Sequence, residues 1–286
     1  MGPPSFSDLG KSAKDLFSKN FTFGVVKIEH KTSASEGISL TTSGTHSFSS
    51  GVLDGSLKAE YKLPEYGAKF AQKWDTKNDL SSEISVEDKL VNGLKNTLEF
   101  TFNPNDGRKD TKFKTSFKQS FLNSSLDFDL MKPNNLVNGS IAISCPNKDW
   151  DKFVLGTNFS FDNEKRSIGK MTFAASFIDK DFVLFTSLCG DNVNTSVYYT
   201  PRCCLQTAIN VNAKLKEGRS VIGFASQYKV DKDSFVKAKI DTSAIVGVAY
   251  CRTVLSGVKL TLSGQFNATR PNDGDHKLGL TLEFDK

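Results

Sequence analysis

Apolar and polar residues alternate one by one along most of the chain from about residue 25 onward. In the clearest segment every second residue is apolar and those between are charged: Leu57-Lys58-Ala59-Glu60-Tyr61-Lys62-Leu63. Successive side chains of a β-strand point to opposite faces, so this period places apolar residues on one face and charged residues on the other. Turn-forming stretches such as Pro104-Asn105-Asp106-Gly107 separate the alternating segments. The pattern predicts an all-β meander.

The same alternation recurs in later segments. Their apolar faces contain Leu98, Phe100 and Phe102; Leu126, Phe128 and Leu130; Phe153, Leu155, Phe159 and Phe161; Val211, Ala213 and Leu215; and Leu278, Leu280, Leu282 and Phe284. Almost no segment is apolar on both faces, although a large soluble sandwich normally has such central strands.

One segment before the meander has a helical period. Apolar residues recur at steps of three and four over residues 5–19, which predicts an amphipathic helix that Ser5 or Ser7 can cap. Its polar arc contains Asp8, Lys11, Lys14, Asp15 and Lys19. We therefore expect residues 1–24 to form a helix and linker, and residues 25–286 to form the β-domain.

The alternation alone does not show which face of the sheet is exposed to water. A soluble barrel turns its apolar face inward, whereas a membrane barrel turns it outward to lipid. The mean hydropathy of −0.33 is compatible with both, because the two faces of a membrane barrel average to a polar composition. The absence of 18 consecutive apolar residues excludes a helical membrane span. Aromatic residues expected near strand ends favour the lipid alternative: Tyr66, Trp74, Trp150 and Tyr250.

Catalytic and nucleic-acid-binding signals are weak. His30, His46 and His276 are isolated, and the nucleotide-binding and hydrolase motifs are absent, so we expect neither an enzyme nor a metal or cofactor site. Lys outnumbers Arg by 31 to 6, which suits a solvated positive surface better than recognition of nucleic-acid bases. The five cysteines, including the adjacent Cys203 and Cys204, imply no disulfide framework.

One long segment carries a family resemblance. Residues 228–250, from Tyr228-Lys-Val-Asp231 through Ser243-Ala-Ile-Val-Gly247-Val-Ala-Tyr250, resemble the signature of the voltage-dependent anion channels, the eukaryotic porins. The segment departs from that signature at Lys232 and Thr242. The residues from Asp8 to Asp15 and the ending His276-Lys277-Leu278-Gly279-Leu280 are also similar to the family.

The resemblance implies a 19-stranded transmembrane β-barrel with the amino-terminal helix inside the lumen, and the strand count comes from the family alone. It implies a voltage-gated, weakly anion-selective channel of the mitochondrial outer membrane that passes ions, ATP, ADP and other small metabolites. A related mitochondrial barrel for protein translocation is the alternative, followed by a soluble ligand-binding barrel. Lysines on the polar faces would then line the lumen and attract anions: Lys58, Lys62, Lys112, Lys114, Lys118, Lys214, Lys216, Lys237 and Lys239.

The resemblance also implies particular site residues. Lys11 and Lys19 match positions that contact nucleotides, and the helix bearing Asp8, Lys11, Lys14, Asp15 and Lys19 is expected to take part in gating. Proposed contacts with NAD map onto Ile245, Val246 and Gly247, and onto Ser263, Gly264, Gln265, Phe266 and Asn267. The family's glycine-rich linker is here Asn20-Phe21-Thr22-Phe23-Gly24, which keeps only the last glycine.

Gln72 is a second departure from the family. Its phase within Ala68, Phe70, Gln72 and Trp74 puts it on the lipid face, where many family members have a glutamate tied to hexokinase and lipid interactions. An uncharged amide avoids the cost of a charge in lipid, so those interactions are not expected here. Expected partners are membrane lipids, nucleotides and small anions, and a homo-oligomer is left open.

Overall fold

The computed structural model describes residues 2–34, 37–89, 91–131, 136–145, 152–163, 166–270, 272 and 276–285. Trp150, expected near a strand end, lies outside the described residues. A short 3-10 turn, Phe6–Asp8, precedes the helix α1, Lys11–Ser18. The strands are β1 (Val25–Ser33), β2 (Ile38–Ser47), β3 (Leu53–Leu63), β4 (Ala68–Asp75), β5 (Leu80–Glu87), β6 (Leu94–Phe102), β7 (Lys109–Lys118), β8 (Leu122–Asp129), β9 (Leu136–Ser144), β10 (Phe153–Asp162), β11 (Ser167–Ile178), β12 (Phe182–Cys189), β13 (Asn192–Arg202), β14 (Leu205–Lys214), β15 (Arg219–Lys229), β16 (Ser234–Asp241), β17 (Ile245–Leu255), β18 (Val258–Asn267) and β19 (Lys277–Asp285).

All 19 strands belong to one sheet, in which strands adjacent in the sequence are hydrogen-bonded neighbours. The sheet closes because β1 also pairs with β19, in parallel, from Val26 opposite Leu280 to Lys31 opposite Asp285. An up-and-down meander with an odd number of strands brings its first and last strands together in the same direction, so the closing pair must be parallel. The expected 19-stranded β-barrel with one amino-terminal helix is therefore confirmed.

The apolar face of the sheet is the exposed one. In β3, Leu57 is 43% exposed, whereas the side chain of Glu60 on the opposite face is only 18% exposed. Leu155 of β10 and Leu278 of β19 are 65% and 66% exposed. A sheet that buried its apolar face in a core would show the reverse, so these apolar side chains point outward and the polar face lines the barrel interior.

Two compact units can be distinguished. The first contains Gly55–Ala175, together with Thr32–Thr42 and the residues up to Leu9. In this unit the 3-10 turn packs on β10, where a Cβ built at Gly156 would lie 2.9 Å from Phe6 Cδ2 and 3.1 Å from Leu9 Cδ1. The glycine therefore makes room for the amino-terminal segment. Asn123 Nδ2 of β8 donates a hydrogen bond of 3.3 Å to the carbonyl oxygen of Pro3.

The second unit contains the residues from Ser176 onward, together with Gly10–Lys31 and Ser43–Asp54. Here α1 packs on β13, β14 and β15. Among the described residues, no helix is long and apolar enough to cross a bilayer.

The prediction of one continuous helix over residues 5–19 is wrong. Leu9 is extended, with φ −62° and ψ 126°, and Gly10 is left-handed, with φ +70°, so the chain turns between the 3-10 segment and α1. Gly10 is the residue that permits this, since left-handed backbone costs other residues about 1–2 kcal/mol. Neither serine caps α1, because the helix begins at Lys11 and Gly10 occupies its N-cap position. Ser5 Oγ donates to Asp8 Oδ2 at 2.7 Å in the preceding turn.

Two further sequence expectations need correction. Tyr250 lies in the middle of β17 rather than at its end, whereas Trp74 lies at the end of β4 as expected. Lys216 lies in the turn after β14, where its ammonium group is 2.6 Å from Asp191 Oδ2, and is not part of a strand's polar face. The alternation was extended past the end of β14 for Lys216, whereas a strand end was expected at Tyr250, where β17 continues. Pairing with the neighbouring strands decides where each strand ends.

The Gly10→Ala variant should loosen α1. An added Cβ would lie 2.7 Å from the Phe185 ring in addition to straining the left-handed backbone. We expect hydrogen exchange of the α1 amides to accelerate by at least about tenfold, equivalent to about 1.4 kcal/mol of lost local stability.

Gly190→Ala is the matched control, because Gly190 is also left-handed, with φ +58°, but has open space where a Cβ would be placed. Equal or smaller acceleration in Gly10→Ala than in the control would contradict the packing role of Gly10.

Candidate functional site

The apolar stripe of α1 packs on small residues of the polar face. Ala13 and Leu16 are buried against Ala208 of β14 and Ala225 of β15, with Phe17 and Tyr198 at the margin. Ala208 replaces the larger polar residues found elsewhere on that face of β14, such as Asn210 and Asn212. The two alanines therefore create an apolar seat for the helix on a face that is otherwise polar.

The polar residues of the helical segment face away from this seat. Lys11 and Lys14 are exposed, and Lys19, the C-cap residue that follows α1, forms an ion pair of 2.6 Å with Asp15. Asp8, expected on the same helix, lies instead in the preceding 3-10 turn. Lys11 and Lys19 consequently stand at opposite ends of α1, about 12 Å apart along its axis at 1.5 Å per residue.

The last turn of α1 is bound by two lysines of β16. Lys237 Nζ donates to the carbonyl oxygens of Asp15 and Lys19, each at 3.2 Å. Lys239 Nζ donates to the carbonyl oxygen of Phe17 at 2.8 Å. The Asp15 carbonyl oxygen also accepts the Lys19 amide at 3.0 Å. Carbonyl groups at a helix carboxyl end carry partial negative charge, so two ammonium groups suit them.

The linker after α1 continues along the same face. The Lys239 ammonium lies 4.3 Å from the centre of the Phe21 ring and 5.2 Å from that of Phe23. Thr22 N donates to Ser263 Oγ of β18 at 3.2 Å, and Thr22 Oγ1 is 2.9 Å from Thr281 Oγ1 of β19.

Two glycines allow this close approach. A Cβ at Gly247 would lie 2.8 Å from Phe23 Cζ, and one at Gly279 would overlap the carbonyl oxygen of Thr22. Sequence reasoning identified Gly247 only as part of a ligand-contact stretch, because nothing in the local pattern shows which residue approaches it.

A pocket of about 420 Å³ opens beside the helix. It is lined by Phe17, Asn210, Asn212, Val221, Gly223, Lys239, Ile240, Asp241, Ile245 and Gln265. The Asn210 Oδ1 atom is buried and has no hydrogen-bond partner among the described residues. The pocket thus combines a cation, a carboxylate and side-chain amides beside an aromatic ring. Sequence reasoning missed the asparagines, which look like ordinary polar positions of β14.

The two stretches predicted to contact NAD lie side by side. Ile245 is opposite Asn267, Val246 opposite Phe266, and Gly247 opposite Gln265 in the β17–β18 register. They do not all share a face, because Val246, Gly264 and Phe266 lie on the apolar face. Gly247 is covered by Phe23, and Ser263 is buried and bonded to Thr22. Ile245 and Gln265 are the two members that line the pocket.

The lysines of the polar face are extensively paired with carboxylates. Glu60 lies between Lys58, at 2.5 Å, and Lys69, at 3.1 Å. Comparable pairs join Lys27 to Glu29, Lys114 to Glu99, and Lys259 to Glu283 at 2.6, 2.6 and 3.6 Å. Paired charges cancel at a distance, so the positive potential of this face is weaker than the lysines alone suggest.

Gln72 lies on the apolar face of β4 and is exposed. It is opposite Ala59 of β3 and Ser82 of β5. Trp74, two residues further on the same face, is 56% exposed, and its Nε1 donates to Asn78 Oδ1 at 3.0 Å. An aromatic ring with an apolar body and one polar contact at a strand end suits a membrane–water boundary.

Several known proteins resemble this chain. A family model described as eukaryotic porin matches residues 2–279. The "Non-selective voltage-gated ion channel VDAC2" of Xenopus laevis is 38% identical over 284 residues, covering 99% of each chain. The "Non-selective voltage-gated ion channel VDAC1" of Homo sapiens is 35% identical over 285 residues, covering 99% of this chain and 98% of its own. A solved Rh. blastica porin mutant aligns over 82% of this chain and 89% of its own, with 9% identity and a TM-score of 0.47.

The family match covers nearly the whole chain, and both relatives exceed 30% identity over almost their full lengths. The closed sheet carries its helix on the polar face, as the sequence resemblance predicted. The chain therefore belongs to the eukaryotic porin family.

Proposed function

We propose that this protein is a voltage-gated channel of the mitochondrial outer membrane that passes ions, ATP, ADP and other small metabolites. The observation that carries the proposal is the orientation of the closed sheet. Its apolar face is exposed and its charged face points inward, the reverse of a soluble barrel. The two relatives described above are named as non-selective voltage-gated ion channels. Those names give no support to the alternative of protein translocation, and we propose no enzymatic activity.

The proposed selectivity is a weak preference for anions. The chain has 37 basic and 32 acidic residues, a net charge of +5, and many lysines of the polar face are paired with carboxylates. A small excess of positive charge raises the local anion concentration only modestly and is screened by salt. We therefore expect the preference for anions to be weak, because many of the lysine charges are balanced by paired carboxylates.

Reversal potentials in a planar bilayer under a salt gradient test this proposal. The wild-type open state should favour anions slightly, and the triple variant Lys112→Gln, Lys114→Gln, Lys118→Gln should shift toward cations because three inward charges are lost. The control Lys216→Gln removes the same type of charge from a turn and should shift the potential less. A strong cation preference in the wild-type open state would refute the proposed selectivity.

We propose that Lys11 and Lys19 contact permeating nucleotides. Both lie at the ends of α1, and Lys19 forms an ion pair of 2.6 Å with Asp15. For NAD we propose contacts from the pocket residues Ile245 and Gln265, together with Asn267 on the same face. The other members of the two stretches are turned to the apolar face or covered by the linker.

The reduction of open-state current by ATP tests the nucleotide contacts. Lys11→Gln and Lys19→Gln should each weaken that reduction about two- to fivefold, since one phosphate-binding charge is lost. Lys216→Gln should leave it close to the wild-type value. An unchanged ATP effect in the double variant Lys11→Gln, Lys19→Gln would count against these contacts.

We propose membrane lipid as the partner of the exposed apolar face, with a second copy of the barrel as a further candidate. Gln72 lies within this face and offers an amide where a carboxylate would be costly in lipid. Interactions that require a membrane-facing carboxylate are accordingly not proposed.

A hydrophobic carbodiimide distinguishes the environment of position 72. Wild-type protein should show no labelling in β4, whereas Gln72→Glu should be labelled at the new carboxyl group. Gln265→Glu, which places the same group on the polar face, should react far less. Labelling of the wild-type protein near Trp74, or none in Gln72→Glu, would contradict the lipid-facing assignment.

A further inference from the structure

The ammonium group of Lys237 depends on α1. Lys237 is 4% exposed, although it carries a charge. Its Nζ atom donates hydrogen bonds to two backbone carbonyl groups at the helix carboxyl end. A buried ammonium without such partners is strongly unfavourable, so Lys237 and the seated helix stabilise one another.

Lys239 joins the helix to its linker. It donates to the Phe17 carbonyl oxygen while its charge lies over the rings of Phe21 and Phe23. Cation–π attraction is strongest when the cation is partly shielded from water, as it is here between the carboxyl end of α1 and β16. The same side chain thereby contacts both sides of the point at which α1 becomes the linker.

The linker backbone is also fixed. Thr22 bonds to Ser263, and Gly24 N donates to the Leu278 carbonyl oxygen at 2.9 Å. Gly279 lets the Thr22 backbone pack directly on β19, and Gly247 of β17 leaves room for the Phe23 ring. Phe21 and Phe23 therefore point toward Lys239 from a backbone that has little freedom to move them away.

From these contacts we propose that Lys237 and Lys239, with Phe21 and Phe23, form a latch that holds the carboxyl end of α1 on β16, and that release of this latch limits displacement of the helix by voltage. The proposal rests on the proposed voltage-gated function. The segment from Lys11 to Lys19 carries three lysines against one aspartate, a net charge of +2, so a transmembrane potential exerts a force on it. The four latch residues are positioning residues that oppose that force.

Closure of single channels at a series of voltages tests the latch. Lys239→Met should lower the voltage of half-closure and raise the closed fraction several-fold at a fixed intermediate voltage. Lys239→Arg, which keeps the charge and the donor groups, should behave nearly as wild type. Lys259→Met is the matched control, because Lys259 is an inward lysine of β18 that pairs with Glu283 rather than with the helix.

Phe21→Leu separates the latch from a simple change of charge. It removes the ring beneath the ammonium and leaves every charge in place, so it should also lower the half-closure voltage. In the Lys239→Met background the same substitution should have little further effect, because its partner is already gone. Equal shifts in Lys239→Met and Lys259→Met, or a Phe21→Leu effect that is independent of Lys239, would overturn the latch.

Hydrogen exchange of α1 without applied voltage provides a readout that does not require conductance. The amides of the last helical turn should exchange several-fold faster in Lys239→Met than in Lys259→Met. Failure of all variants and the wild type to conduct would refute the proposed channel function, and the exchange comparison would still decide the latch. Unchanged exchange in Lys239→Met would refute the latch even if the channel functions as proposed.

Discussion

The structure depends on closure of its sheet. A bilayer interior supplies no water to pair with backbone N–H and C=O groups, so an open sheet edge there would leave a row of them unsatisfied. Pairing of β1 with β19 removes the two edges. The parallel closing pair follows from this requirement together with the odd strand count.

The docking of α1 needs a separate explanation, because its apolar side packs on the polar face of the sheet, here called the wall. Ala208 and Ala225 provide a small apolar seat, but the area is limited to a few side chains. The carboxyl end adds further stabilisation, because Lys237 and Lys239 donate hydrogen bonds to carbonyl oxygens that carry the partial negative charge of the helix end. A short helix thus stays docked because its polar end, as well as its apolar face, has partners on the wall.

The same contacts explain why this chain tolerates a linker with aromatic residues. Phe21 and Phe23 reduce backbone freedom relative to glycine, yet they gain contacts with Lys239 and Gly247. The glycines that permit close approach lie instead on the wall, at positions 247 and 279. The linker sequence alone suggests a loss of close packing because it has lost glycines. The structure shows that glycines of the strands provide the close packing instead.

The sequence by itself determined the alternation of faces, because a period of two encodes which side chains share a face wherever a strand forms. Leu57 and Glu60, Gln72 and Trp74 lie on the faces that their phases indicate. The strand count and the family came from motif resemblance, and the break in the amino-terminal helix at Gly10 was missed because glycine is compatible with a helix until its φ is known.

Only the tertiary structure decided which residues from distant segments meet. The approach of Lys237 to Asp15, of Phe23 to Gly247, and of Asn210 to the pocket beside Phe17 joins residues about 200 or more positions apart. Local propensity carries no information about such pairs, because they depend on the register of every strand between them and on the seat that fixes the helix.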